Sequence, residues 1–512
     1  MNVHLLYPDR DPDLEAELPF GAEALAEDLG LEAVFDAMAQ GDAWLRKVAR
    51  AAVLTSVSLD APTIRYRQEA LQDCLSHPAE INELYACAGE AQTGVRELGI
   101  LRFYARSPNA VLYSAVRVLA VLLRTLKHLR SLVDAHGDRF RSPAFRQLFE
   151  TIRRELDEDF FCAAERHAKT LEFSGGMLLS AGLGAGNKAS GYVLRAPSQP
   201  TRGWLRRLVS RGSDGFSFTV APRDEAGHEA LAAIKDRGVN LVADALARSN
   251  DHVLAFLQAL RTQLAFYIAG ANLRARLDAL NVPTSMPTPE EAQAEGPVVQ
   301  AVGLRDVALA LQVGTGAVGN DLAAAGQRIV VVTGANRGGK STFLRSLGQA
   351  QVLMQAGLFV TADRFASTTC RGVFTHFKRE EDPAMLGGKL DEELRRMRDI
   401  VDHAGPGSLL LMNESFASTN ERDGSEIARQ IVLALADAGV RVGYVTHLYE
   451  FARSLYEEGR GDTLFLRAER LADGRRTFRV VEGEPLGTSF GDDVYRRVFD
   501  LDDREAQAAD PS

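Results

Sequence analysis

Cysteine is scarce in this 512-residue chain: Cys74, Cys87, Cys162 and Cys370 lie far apart and form no Cys-x-x-Cys pair. That usage argues against a zinc site or a disulfide framework and sets a reducing, cytoplasmic location as the expectation. Excess positive charge is also missing. The 59 Lys and Arg residues face 69 Asp and Glu, a net charge of -10, which argues against a generally basic nucleic-acid coat but permits a local basic face. The start, MNVHLLYPDRDPDLEAE, has no basic segment followed by an apolar core, so no signal peptide is expected. Crossing a bilayer takes about 20 uninterrupted apolar residues. The most apolar helical stretch, AVLYSAVRVLAVLLRTL, is broken by Arg117 and Arg124. It reads as a buried helix, with no membrane partner. Internal repeats are absent as well.

Composition is that of an ordinary globular protein, 46% hydrophobic and 25% charged, and the length suggests about two to four domains. The first half reads as helical. In DAPTIRYRQEALQDCL, Asp60 caps, Pro62 sits in the first turn, and Ile64, Leu71, Cys74 and Leu75 share a face. Ser107-Pro108 opens a long helix that Gly137 closes, a further helix covers about 143–171, and long helices return over about 225–280. Between 172 and 222, glycine-rich segments such as GGMLLSAGLGAGNKASGYVLRAP and DGFSFTVAPRD read as short strands. The proline-rich, acidic NVPTSMPTPEEAQAEGP then marks a linker. The expected layout is multidomain: a helical core region at 1–106, helical lever arms at 107–280 with a small β-rich, clamp-like insertion at about 172–222, a linker at 281–297, and an α/β phosphate-loop domain at 298–512.

The strongest signal is RIVVVTGANRGGKSTFLRSL. Ile329 to Val332 form an apolar strand, Gly334 to Ser341 fit G-x-x-x-x-G-K-S/T, and a helix follows. Glycines let backbone N–H groups curl around phosphate, Lys340 reaches the terminal phosphates, and the Ser341 hydroxyl can bind magnesium. ATP with Mg2+ is therefore the expected cofactor pair. Gly334, Ala335, Asn336, Arg337, Gly338, Gly339, Lys340, Ser341 and Thr342 are the candidate nucleotide-binding residues.

About 70 residues later, SLLLMNESFASTNERDG carries a second apolar strand into Asn413-Glu414. Many nucleotide hydrolases end this strand in Asp-Glu, the Asp helping to hold magnesium and the Glu acting on water. Here an amide replaces the first carboxylate. Asn413 remains a candidate metal contact with Ser341, and Glu414 is the candidate catalytic residue. A further strand in RVGYVTHLYEF ends at His447, placed where ligands bind in open α/β sheets and so a candidate sensor of the γ-phosphate.

These motifs, in order, resemble the ATPase domain of the MutS family of DNA mismatch repair proteins. TGANRGGKSTFLR is similar to T-G-x-N-x-x-G-K-S-T-x-x-R, with Arg337 where the family usually has Met. NESFASTNERDG is similar to D-E-x-x-x-G-T-x-x-x-D-G, THLYEFA to T-H-Y-x-E-L, and GTSFGDDVYRRVF to the closing S-Y-G motif. FTHFKREEDPAMLGGKLDEELRRMRDIVDHA is similar to the segment leading into the family's signature helix. The likeness covers most of 300–500, and LTSVSLDAPTIRYRQEALQDCL and LQALRTQLAFYIAGANLRARLDALNVPTSMP extend it to the helical region.

The resemblance implies an ABC-type ATPase domain that dimerises, with each nucleotide facing the partner's signature segment. Gly387 and Gly388 stand at that segment, Gly388 where the family has Ser. It also implies a homodimer or a heterodimer with a relative, gripping double-stranded DNA that is mismatched or branched. The chain begins almost at the core, without the family's mismatch-recognition and connector domains. No Smr-type nuclease domain follows the ATPase region, which sets the expectation away from the branch that carries one. Arg202, Trp204, Arg206, Arg207 and Arg211, in the β-rich insertion, are the candidate DNA contacts. Two other functions fit the same residues: an ATP-driven regulator of RNA, a ribosome or a protein, and a nucleotide-binding subunit with negligible hydrolysis.

Overall fold

The computed structural model describes residues 1–99, 108–173, 176–187, 189–195, 219–291, 296–379, 388–471 and 475–486. The chain divides into two compact units. One comprises 1–3, 79–140 and 145–262; the other comprises 4–78, 141–144 and 263–512.

The first unit is built of long helices. Pro108–His136 stops before Gly137, as its sequence predicts. The helix expected over 143–171 is two, Pro143–Glu155 and Glu158–Leu171. Asp157 causes the break, because its side chain accepts from Phe160 N at 2.7 Å and starts a new helix. The 55-residue helix Glu225–Ala279 contributes its residues up to 262 to this unit. It runs in the same direction as Pro108–His136: Asn109 N donates to Asp236 Oδ1, and further along both helices Asn250 Nδ2 donates to Ala115 O. Leu112 and Val116 pack against Val239 and Ala243 between them. Among the described residues two helices, in Pro108–Arg139 and Glu225–Ala279, are long and apolar enough to cross a membrane by length and composition alone; this packing buries part of their apolar faces. Strands β1 (Leu178–Leu183) and β2 (Ala189–Arg195) form an antiparallel hairpin in the glycine-rich insertion. The arginine-rich piece with Trp204 lies outside the described residues, as do 214–218 of the second stretch expected as strand; its described part, 219–224, is turn and irregular chain rather than strand, leading into the helix at Glu225.

Among the described residues, the second unit holds two sheets. Strands β3 (Thr288–Glu290), β4 (Val298–Leu304), β5 (Asn320–Ala325) and β7 (Arg364–Thr368) make a four-stranded sheet in the order β3-β7-β4-β5. So three residues of the proline-rich stretch read as a linker are a strand, with Thr288 opposite Ala366. Strands β6 (Ile329–Thr333), β8 (Val373–Phe377), β9 (Leu409–Asn413), β10 (Arg441–Val445), β11 (Thr463–Arg470) and β12 (Arg476–Glu482) make a six-stranded sheet in the order β12-β11-β6-β10-β9-β8, parallel except for β12. Its inner strands are apolar on both faces because helices cover both. On one face Leu410, Met412 and Tyr444 pack against Val432, Leu435 and Phe451 from the helices Glu421–Asp437 and Tyr449–Glu458. On the other lies the helix Lys340–Gln355. It approaches so closely that a Cβ on Gly348 would stand 2.5 Å from Leu411 Cδ1 and 2.7 Å from Leu29 Cδ2.

Residues 4–78, assigned by sequence to a helical core region, belong to this α/β unit. Asp60 caps its helix as expected, accepting from Thr63 N at 3.0 Å. The reason for the grouping is polar as well as apolar. Gln349, buried in the middle of Lys340–Gln355, donates to Leu29 O at 2.8 Å and to Asp306 Oδ1 at 3.0 Å. Asp306 also pairs with Arg345, so the Arg that ends the phosphate-loop motif locks its helix to the framework. The buried Arg67 donates to Leu6 O and Ser56 Oγ, each at 2.7 Å.

Candidate nucleotide site

The carboxyl ends of β6, β8, β9 and β10 lie side by side, since the parallel registers set Phe377 and Val445 on either side of Asn413 and Val442 opposite Ile329. The loop 334–339 leaves β6 there. It needs its glycines: Gly334 and Gly339 have φ of 111° and 90°, and a Cβ on Gly338 would stand 2.8 Å from Ala468 Cβ. Arg337 takes a left-handed φ of 59° without that freedom, a local strain of the kind found at ligand-binding loops. Asn336 and Arg337 are exposed and Ala335 is half-buried.

Lys340 is 4% exposed. Its Nζ donates to Gly334 O at 2.7 Å and to Ala335 O at 3.0 Å. Burial pushes this ammonium down to about 8, an effect that Glu414 opposes and Arg476 reinforces. Next to it Ser341 Oγ donates to Asn413 Oδ1 at 2.9 Å. Thr342, the next residue, is half-buried in the first turn of the helix.

Glu414 follows Asn413 with φ 55° and is anchored by its N–H, which donates to Val445 O at 2.8 Å. His447 Nε2–H donates to its Oε1 at 2.8 Å. That hydrogen bond holds the Glu414 carboxyl below its usual range, with partial burial working against it. The two residues expected at separate strand ends are therefore one hydrogen-bonded pair. The loop beyond closes tightly, with Phe416 O only 2.6 Å from where a Cβ on Gly424 would be; this is the reason for glycine after Asp423. Gly388 begins the helix Lys389–His403 in open space, with nothing within 4 Å of its Cβ position. Gly387, and the closing GTSFG motif, lie outside the described residues.

Three features have no sequence signal. Lys378 follows β8 and bonds through its N–H to Asn413 O, and its charge lowers the Glu414 carboxyl. His376 is fully buried, its ring stacked on Phe416. Burial pushes its ring down to about 4, so it is neutral: Nε2–H donates to Glu393 O at 3.0 Å, and Nδ1 stands 2.7 Å from Ser415 Oγ, whose hydroxyl donates to His376 O at the same distance. It thereby ties the residue after Glu414 to the helix that Gly388 begins. Finally, β11 and β12 wall one side of the loop through Ala468 and Phe478. Beyond them a cleft of about 470 Å³ opens, lined in part by Asn320, Asp321, Arg364, Arg479 and Glu482.

A glycine-rich loop between a parallel strand and a helix, with an acidic strand end beside it, defines a phosphate-loop α/β protein. Within that class, residues 59–280 match the family model of the MutS2 N-terminal domain and residues 330–498 that of MutS domain V. The chain belongs to the MutS family. It is 36% identical over 126 residues to the DNA mismatch repair protein MutS of Synechococcus sp., and 29% identical over 175 residues to Endonuclease MutS2 of Thermus thermophilus. Those alignments cover 24% and 33% of this chain but 14% and 23% of the relatives' lengths. The MutS2 match corrects one expectation: the helical half is similar to a branch whose relatives are named endonucleases, the direction the sequence had pointed away from.

Proposed function

We propose that this chain binds ATP with Mg2+, hydrolyses it slowly, and uses the cycle to gate a dimeric grip on double-stranded DNA. The observation that carries the reading is the convergence of Lys340, the Ser341–Asn413 pair and the Glu414–His447 pair at the carboxyl ends of β6, β9 and β10. The site fits a nucleotide's phosphates. Lys340 is a buried cation whose Nζ hydrogen-bonds two loop carbonyls and which a polyphosphate would restore to full charge. The glycines leave a cradle that side chains would fill. The loop 334–342 wraps the phosphates, Glu414 accepts a proton from water, and His447 orients that carboxylate and senses the γ-phosphate. Bound magnesium supplies charge neutralisation at the phosphates. Ser341 and Asn413 would hold it, the amide through an oxygen that carries no full charge. The segment Gly387-Gly388 faces the partner's nucleotide across the dimer, with the N–H of Gly388 at a helix start.

Asn413→Asp should raise the ATPase rate or magnesium affinity several-fold, because it restores a carboxylate beside Ser341. No change in either overturns the account of slow turnover. The DNA half rests on the names of the relatives and on the arginines of the insertion. Its test is binding of the purified protein to homoduplex, mismatched and branched DNA, with and without ATP. Salt-dependent binding that changes with ATP is expected. Binding to none of the three, in either state, favours a nucleotide-binding subunit that acts on another partner.

A further inference from the structure

Strand β12 is irregular where it meets the phosphate loop. Arg470 of β11 lies opposite Arg476, and Ala468 lies opposite Val480. Glu469 on β11 is thus matched by Thr477, Phe478 and Arg479 on β12. Such bulges re-aim side chains and are frequent beside active sites. Both ends of this one are pinned: Thr477 Oγ1 bonds to Glu469 O, and Val480 N donates to Asn320 Oδ1 at 2.7 Å. Within it Phe478 adopts a left-handed φ of 59°. Its carbonyl oxygen stands 3.0 Å from where a Cβ on Gly339 would be. The bulge therefore rests on the turn that delivers Lys340.

Arg476 begins that bulge. It is half-buried, and among the described residues no hydrogen bond or ion pair holds its guanidinium. Its charge disfavours the ammonium of Lys340, against the opposing and larger effect of Glu414. Two cations brought together cost free energy, which an anion bound between them relieves. Across the loop, the position beside Ser341 that could hold a carboxylate is the neutral Asn413. The balance of the site is therefore shifted from acidic to basic.

We propose that Arg476, carried over the phosphate loop by the β12 bulge, is a ligand of the nucleotide's phosphate tail. It supplies in part the positive charge that a metal-binding carboxylate would otherwise hold there as magnesium. This rests on the nucleotide reading above and extends it to a residue outside the loop and the acidic strand. A guanidinium suits the task because its planar fork can donate two parallel hydrogen bonds to phosphate oxygens.

The test is equilibrium binding of ATP to the full chain, by calorimetry, once with Mg2+ and once with EDTA. Arg476→Gln should weaken binding about tenfold in EDTA, where the tail keeps its full charge, and less with Mg2+. Arg476→Met, which keeps the aliphatic stem, should behave the same, and Arg476→Lys should retain most of the affinity. Unchanged melting temperatures show that the variants are folded. Wild-type ATP binding that Arg476→Gln and Arg476→Met leave unaltered in EDTA overturns the proposal. A wild-type chain that binds no ATP in either buffer overturns the nucleotide reading itself.

Discussion

Replacing Lys340 with Ala is expected to weaken ATP binding by about a hundredfold or more, measured by calorimetry with Mg2+. The magnitude follows from removing charge-assisted hydrogen bonds to phosphate at a buried site, where each contributes roughly 1.5–3 kcal/mol. The structure adds a second cost. Lys340 Nζ also holds the carbonyls of Gly334 and Ala335, so its loss leaves two loop acceptors without this donor and lets the cradle relax. Lys340→Arg should rescue little. The ammonium is enclosed at 4% exposure, and a planar guanidinium does not fit the space of a compact point charge. Binding within threefold of wild type in the alanine variant would show that the loop does not hold the nucleotide.

The second large effect falls on turnover. Glu414→Gln should lower the ATPase rate about a thousandfold while leaving ATP affinity within a few-fold, since a positioned base contributes roughly a hundred- to ten-thousandfold. The direction is set by the His447 hydrogen bond, which keeps the carboxyl ionised and able to accept a proton. A glutamine of the same shape can still bond to His447 and preserve the left-handed turn, so a loss of rate would report chemistry rather than collapse of the loop. The measurement is single-turnover hydrolysis beside equilibrium binding. An unchanged rate would remove Glu414 from the reaction and leave the chain as a nucleotide-binding subunit.

Much of the site was legible because its parts are short. In TGANRGGKST the strand, the glycines and the helix that follows lie within a few residues, and the φ values demanded of Gly334 and Gly339 are ones that other residues rarely adopt. Asn413-Glu414 and His447 were readable in the same way, as polar residues ending apolar runs. What they do together was not. The 2.8 Å bond between Glu414 and His447 crosses 33 residues of sequence and depends on β9 and β10 being neighbours. Asp157 misled the helix reading because the apolar pattern continues through it, while its side chain prefers to cap. Thr288–Glu290 misled the linker reading because proline and acidic residues are disfavoured in strands; at the edge of a sheet, β3 accepts them.

The sequence by itself determined that the chain holds a phosphate loop, an acidic strand and a histidine in MutS order, because each is a local arrangement specified by residue type and spacing. Only the tertiary structure decided that residues 4–78 belong to the α/β unit, that neutral His376 ties the Glu414 loop to the helix starting at Gly388, and that the β12 bulge beginning at Arg476 rests on the turn before Lys340. Each of these depends on strand order, on a bulge of two extra residues, or on one buried polar atom meeting another far away in the chain. Such pairings are chosen by the free energy of the whole packed unit, and no local stretch of sequence contains both partners.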